Sequence, residues 1–248
     1  SKNTNTPFLR GVNLLWYALG LGMKALTLSA NTQTGEDEKL EGPALYLTLG
    51  LSLTLGIGLF FLLPAALGGW TEHLLDSTSP AIWIGNLLEG VIRLVLLVGY
   101  IWAIGFMPDV RRLFGYHGAE HKTINAYEAG AELTPESVSK FSIEHPRCGT
   151  AFLLTLVLLS ILVFTALGPL PIFWRLVSRI LLIPVLAGIA VEYIRWTSNH
   201  LKNPIVQWLI KPNLALQHLT TREPDLKMLE VAIESFQSMR RAEQEFTL

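Results

Sequence analysis

The chain has 248 residues, of which 50% are hydrophobic and only 16% charged, against about 25% charged residues in a soluble domain. With a mean hydropathy of +0.40 and whole stretches almost free of charge, this argues against an ordinary soluble globule and for a membrane protein. The net charge of -1 argues against a broad nucleic-acid-binding face, and the single cysteine, Cys148, excludes an intrachain disulfide.

In chain order, residues 1–43 form an N-terminal segment. Its apolar part, Leu9–Ala30, is interrupted by Gly20, Gly22 and Lys24. It is expected to be an amphipathic helix lying in the membrane interface or packed against the bundle, rather than a span. Lys24 also argues against a cleavable signal peptide, and the chain opens at Ser1 without an initiator Met.

A span needs about 20 largely apolar residues. Ala44–Leu67 is the first, free of charge, and Ile82–Phe106 is the second, with Glu89 and Arg93 inside it; together they make up residues 44–106. Glu89 and Arg93 stand four residues apart and are expected to pair on one helix face, with a functional polar pathway as the sharper alternative. Residues 107–147 form a long loop. Residues 148–196 hold the third span, Cys148–Leu167, and the fourth, Trp174–Trp196, which contains Arg179 and Glu192.

The tail, 197–248, carries Leu226, Leu229, Ile233 and Phe236 at helical spacing, an amphipathic helix expected to run to about Glu245. Thr220–Glu223 has the form of a capping box for it. The fold class is therefore all-α: a polytopic membrane helix bundle of about four transmembrane helices, an interfacial N-terminal helix, and a helical loop and tail. Lys and Arg gather in the N-terminal stretch, the middle loop and the tail. The expected location is thus the bacterial inner membrane with both termini cytoplasmic. Arg175 and Arg179 fall near the opposite face and mildly violate this assignment. The lipid bilayer is the expected partner, a homo-oligomer is compatible, and nucleic acid is not expected.

The middle loop carries the chemistry. His117 and His121 are four residues apart, so on a helix both rings point to one side. Glu120 lies at the edge of that face, and Glu128 returns to it after about two further turns. A helix over about His117–Ala129, ended by Gly130, would present two imidazoles and two carboxylates in a row. Imidazole and carboxylate suit zinc, iron or manganese, and His-x-x-Glu-His is the inverted zincin pattern, in which the Glu acts as base. Half of the six histidines and the only cysteine fall between His117 and Cys148.

His145 and Cys148 form a second group. Pro146 favours an extended His145, and a helix start beside Arg147 favours thiolate at Cys148. A small buried hydrophobe is the plainer reading of that cysteine. Glu192, near the same end of the fourth span, is a further candidate ligand, or else a partner of Arg195 or Arg179.

Tyr116–Lys122 (YHGAEHK), Glu128, His145–Thr150 (HPRCGT), Glu192 and Thr220–Asp225 (TTREPD) resemble the bacterial membrane family known as domain of unknown function 1385. The resemblance extends from about Arg10 to the tail helix. It implies a metal-dependent membrane enzyme, the label its members carry, and names no substrate or reaction. Members begin with a segment resembling Gly-Gly-Gln-Ala-Val-Met-Glu-Gly. This chain has no such segment, so a ligand or cover supplied from it would be missing here.

The leading expectation is a hydrolase whose divalent metal, zinc before iron or manganese, is held by His117 and His121. Glu128, His145, Cys148 or Glu192 would complete the ligand set, with Glu120 as general base. The alternatives are a Cys148 nucleophile in an acyl transferase or hydrolase, and a transporter or assembly factor with a structural metal site.

Overall fold

The computed structural model describes residues 7–33, 42–74, 79–168 and 170–245. Lys2 and Lys39 of the basic N-terminal stretch lie outside them. Among the described residues the chain is helical, without strands: α1 Pro7–Gln33, α2 Gly42–Ile57, a π turn Gly58–Leu62, α3 Leu63–Leu74, α4 Ser79–Ile104, α5 Pro108–Glu128, α6 Pro135–Val138, α7 Gly149–Ala166, α8 Ile172–Asn199, α9 Pro204–Thr220 and α10 Leu226–Glu245.

Four described stretches are long and apolar enough to cross a membrane: Gly42–Thr71, Trp83–Ile104, Gly149–Ala166 and Phe173–Asn199. These are the four spans read from hydropathy, and α1 is not among them. The chain divides into two compact units, residues 1–97 with 155–193, and residues 98–154 with 194–248.

In the first unit a buried carboxylate is paired with two guanidinium groups. Glu89, on α4, is 1% exposed. Its Oε1 accepts from Arg93 Nη2 at 2.8 Å and from Arg179 Nε at 3.1 Å, while Oε2 accepts from Arg179 Nη2 at 2.8 Å. The expected pairing of Glu89 with Arg93 is present, and α8 adds a second guanidinium. Arg93 Nε also donates to the Phe60 carbonyl in the π turn at 2.9 Å, and Nη1 to Ser160 Oγ at 3.3 Å. Such satisfaction is what an apolar surrounding demands of a buried charge. Close helix approach permits it: a Cβ on Gly90 would fall 2.6 Å from Ile161, and one on Gly68 would fall 2.7 Å from the Gly85 carbonyl oxygen.

The second unit is built on α5. Pro108 at the first helical position and Asp109 in the first turn suit its start. This helix begins nine residues before the expected His117, because no proline interrupts the chain between Pro108 and His117. Gly130, at φ +70°, ends it as expected. Ala119 and Ala126 lie seven residues apart, both 0% exposed, and pack with Val138, Leu229 and Ile233 into a small core.

Two expectations about the tail need correction. Thr220 does not open a capping box, because α9 runs through it and Thr221 N donates back to the Gln217 carbonyl at 2.8 Å. The residue that caps α10 is Asp225, whose Oδ1 accepts from Met228 N at 2.8 Å. Leu226 is also exposed rather than packed.

Candidate metal centre

Three histidines and the cysteine of the second unit are held by distinct backbone devices. His117 and His121 share one face of α5, their ring centroids 4.4 Å apart. His117 Nδ1 faces the Thr220 carbonyl oxygen at 2.8 Å, and His121 Nδ1 faces the Ile143 carbonyl oxygen at 2.5 Å. A carbonyl only accepts, so both Nδ1 atoms carry the proton. In the neutral rings each Nε2 is then left with a lone pair.

Those two carbonyls are themselves fixed. Arg222 N donates to the Phe114 carbonyl at 2.9 Å, laying the residues after α9 against α5. The approach is close enough that a Cβ on Gly118 would come within 2.2 Å of the Arg222 carbonyl oxygen, which accounts for glycine between the two histidines. On the other side, buried Lys122 donates from Nζ to the Ser139 and Phe141 carbonyls at 2.8 and 2.7 Å. Asn125 Nδ2 donates to the Ser142 and Glu144 carbonyls at 2.8 and 2.9 Å. Together they pin the segment that carries Ile143.

Cys148 sits at the end of a turn in which its N–H donates to the His145 carbonyl at 3.3 Å, with Pro146 and Arg147 between. It also caps α7: Thr150 N donates to Sγ at 3.4 Å. His117 Nε2 stands 3.2 Å from Sγ. Burial opposes ionisation of the thiol, but hydrogen bonds from His117, His121 and Thr150 outweigh it and bring its pKa from 9.0 to about 5. The bond to Cys148 raises the pKa of His117 against burial, with help from the Thr220 carbonyl.

The ligand atoms of His117, His121 and Cys148 all lie within 4.8 Å of one another. Donors about 2.0 to 2.3 Å from a tetrahedral ion stand about 3.3 to 3.7 Å apart, so small side-chain shifts would close the three around one. Nitrogen and sulfur donors with their imidazole protons turned outward onto backbone carbonyls suit a transition-metal cation.

His145 is arranged differently. Its ring lies 5.8 Å from that of His121, and its Nδ1 accepts from Arg147 N at 3.3 Å, which leaves the proton on Nε2. Its main chain is clamped by Gln217, whose Oε1 accepts from His145 N at 2.9 Å and whose Nε2 donates to His145 O at 2.8 Å. Burial, and then the neighbouring His121, lower the pKa of His145.

These groups open onto a cavity of about 510 Å³. Its walls include His117, Glu120, His121, Glu128, His145 and Cys148, with Tyr127 and Phe236 on an apolar side. Glu120 is exposed, with no hydrogen bond or ion pair among the described residues. Glu128 is ion-paired with Arg147. Glu192 is half-buried in α8, in the first unit. Gln217, Lys122 and Thr220 escape the reading of the loop alone. The signal that could have revealed α9 is Asn203-Pro204, where Asn203 Oδ1 does accept from Ile205 N at 2.9 Å.

The family described as "Protein of unknown function (DUF1385)" matches residues 6–242. The chain belongs to this family. It is also 36% identical over 251 residues to the uncharacterized protein YqhQ of Bacillus subtilis strain 168, covering 96% of this chain and 78% of that one. No solved structure matches it. Neither match names a reaction.

Proposed function

We propose that this family member is a membrane-embedded, metal-dependent hydrolase acting at the cytoplasmic surface of the inner membrane, with zinc or a similar cation held by His117, His121 and Cys148. The observation that carries this reading is the paired commitment of both imidazole Nδ1–H groups to backbone carbonyls, which in the neutral rings leaves two Nε2 lone pairs beside the Cys148 sulfur. Three protein ligands leave a coordination position open, and a cation so held supplies an activated water at neutral pH.

The other residues have roles that follow from their placement. Glu120 is a carboxylate free to take a proton, at the rim of the cavity. Cys148 immediately precedes a membrane-length helix, which supports chemistry close to the membrane surface. Esters or amides borne on lipids or on membrane-anchored peptides are the substrate class this position favours.

A second reading rests on the 3.2 Å contact between Cys148 Sγ and His117 Nε2: a thiolate nucleophile with its imidazole partner, in an acyl transferase or hydrolase that needs no metal.

Elemental analysis of protein purified from membranes separates the two. The metal reading expects about one transition-metal ion per chain, reduced at least tenfold in the His117→Ala/His121→Ala double variant. A metal-free wild type that is still inactivated by thiol alkylation would establish the second reading instead.

A further inference from the structure

The cavity holds a second group of side chains outside the three-donor set. His145 is 4% exposed, and its Nε2 has no hydrogen-bond partner among the described residues. Because Nδ1 accepts from Arg147 N, that Nε2 bears a hydrogen. A buried donor held in place by Gln217 yet left unpaired calls for an acceptor that arrives from outside. Glu128 Oε2 stands 3.7 Å from it, beyond hydrogen-bond reach. The other oxygen of Glu128 rests on the Arg147 guanidinium. The carboxylate thus occupies the guanidinium and leaves the imidazole unsatisfied.

We infer that Arg147 and His145 form an oxyanion subsite, in which Glu128 is an internal occupant displaced by a phosphate or carboxylate group of the substrate. A guanidinium and an imidazole N–H converging on one oxyanion combine a charge-assisted and a directed hydrogen bond. The Glu128 and Arg147 side chains are 44% and 53% exposed, so an incoming anion can reach the pair, whereas His145 is fixed behind it. The subsite lies in the same cavity as the proposed metal centre and deepens that reading, but its binding of an anion does not require the metal.

The test titrates inorganic phosphate into full-length protein in phosphatidylcholine nanodiscs, as purified and again after chelator treatment. Binding is read by calorimetry and by NMR of the His145 ring nitrogens. A second arm replaces part of the lipid with phosphatidic acid. Glu128→Gln is expected to tighten phosphate binding at least tenfold with metal content unchanged. Arg147→Ala and His145→Ala should weaken it at least tenfold, and His145→Gln, which keeps an N–H donor, should restore part of the loss. A response confined to phosphatidic acid would identify a lipid headgroup as the source; a response to inorganic phosphate would identify a soluble one. Phosphate binding that is absent from both arms, or unaltered by Glu128→Gln, overturns the inference, as does loss of metal in Glu128→Gln. A wild type without metal would remove the proposed metal chemistry while leaving the phosphate titrations readable. If His145→Ala does not fold, Glu128→Gln and Arg147→Ala decide.

Discussion

His117 Nε2 and Cys148 Sγ, 31 residues apart in sequence, stand 3.2 Å from each other, and the far nitrogen of the same ring meets the Thr220 carbonyl oxygen at 2.8 Å. The imidazole is therefore oriented by one backbone group and aimed at the sulfur. Without metal, the thiol hydrogen can rest on the ring or the imidazolium can pair with thiolate. With metal, both atoms turn their lone pairs to the ion.

The acid–base consequence has a definite sign. The Cys148 pKa of about 5 lies below the ordinary 9.0, so the thiolate persists as pH falls from 9 until it is protonated near 5. In metal-free protein the rate of alkylation by iodoacetamide should be nearly flat from pH 8 to 6 and fall about tenfold per unit below pH 5. Stability linked to this thiolate follows a different course: it is complete above the unfolded thiol's range, declines as pH falls from about 9, and is gone below about 5. Added zinc should suppress alkylation throughout. A rate that climbs only above pH 8 would show an ordinary thiol.

Gly118→Ala should damage the site from the back. The added Cβ would meet the Arg222 carbonyl oxygen at 2.2 Å, a backbone atom that cannot swing aside. Overpacking of this kind costs about 1–3 kcal/mol, and relief by separating α5 from the Thr220–Arg222 segment would pull the Thr220 carbonyl off His117. Thermal unfolding should shift down and metal affinity should fall with it.

Gln217→Ala should cost stability out of proportion to its size. It leaves the His145 N–H and carbonyl without partners in a buried place, at about 1–3 kcal/mol for each group. Chemical denaturation in detergent measures this, and Gln217→Glu should not restore it at neutral pH, because an ionised carboxylate would be buried against the His145 carbonyl oxygen.

Lys122→Met keeps the aliphatic stem but removes the donor to the Ser139 and Phe141 carbonyls. The Ile143 carbonyl behind His121 then loses its support, and metal affinity should drop about 10- to 100-fold, as for other groups that orient a ligand. Competition with a metal-binding dye gives the value.

In the first unit, Glu89→Gln should leave Arg93 and Arg179 without their shared countercharge. Breaking a buried ion pair by removing one partner costs about 3–5 kcal/mol, so yield of folded protein from membranes should fall sharply. Glu89→Asp should retain part of it.

What the sequence reveals depends on where each signal resides. The four spans are legible because hydropathy over about 20 residues is a property of the residues themselves. The shared face of His117 and His121 is legible because helical spacing alone brings them together. The meeting with Cys148 is not, since it depends on how the turn at Pro146 and the chain after α9 close on α5. α9 is obscured by Pro212, an interior proline that ordinarily ends a helix. The capping-box pattern at Thr220–Glu223 misleads because those hydroxyls are used elsewhere: Thr221 Oγ1 donates to the Gln217 carbonyl at 2.7 Å, and Thr220 Oγ1 lies 3.2 Å from Thr150 Oγ1. Of the two arginines that spacing offers to Glu192, Arg195 and Arg179, the second pairs with Glu89 across 90 residues.

X-ray absorption at the zinc edge, on zinc-loaded protein in nanodiscs, reads the ligand set itself. One sulfur scatterer is expected at about 2.3 Å, with two imidazole nitrogens and one oxygen near 2.0 Å, the sulfur vanishing in Cys148→Ser. A first shell of oxygen alone, or a spectrum unchanged by Cys148→Ser and by His117→Ala, would contradict that ligand set.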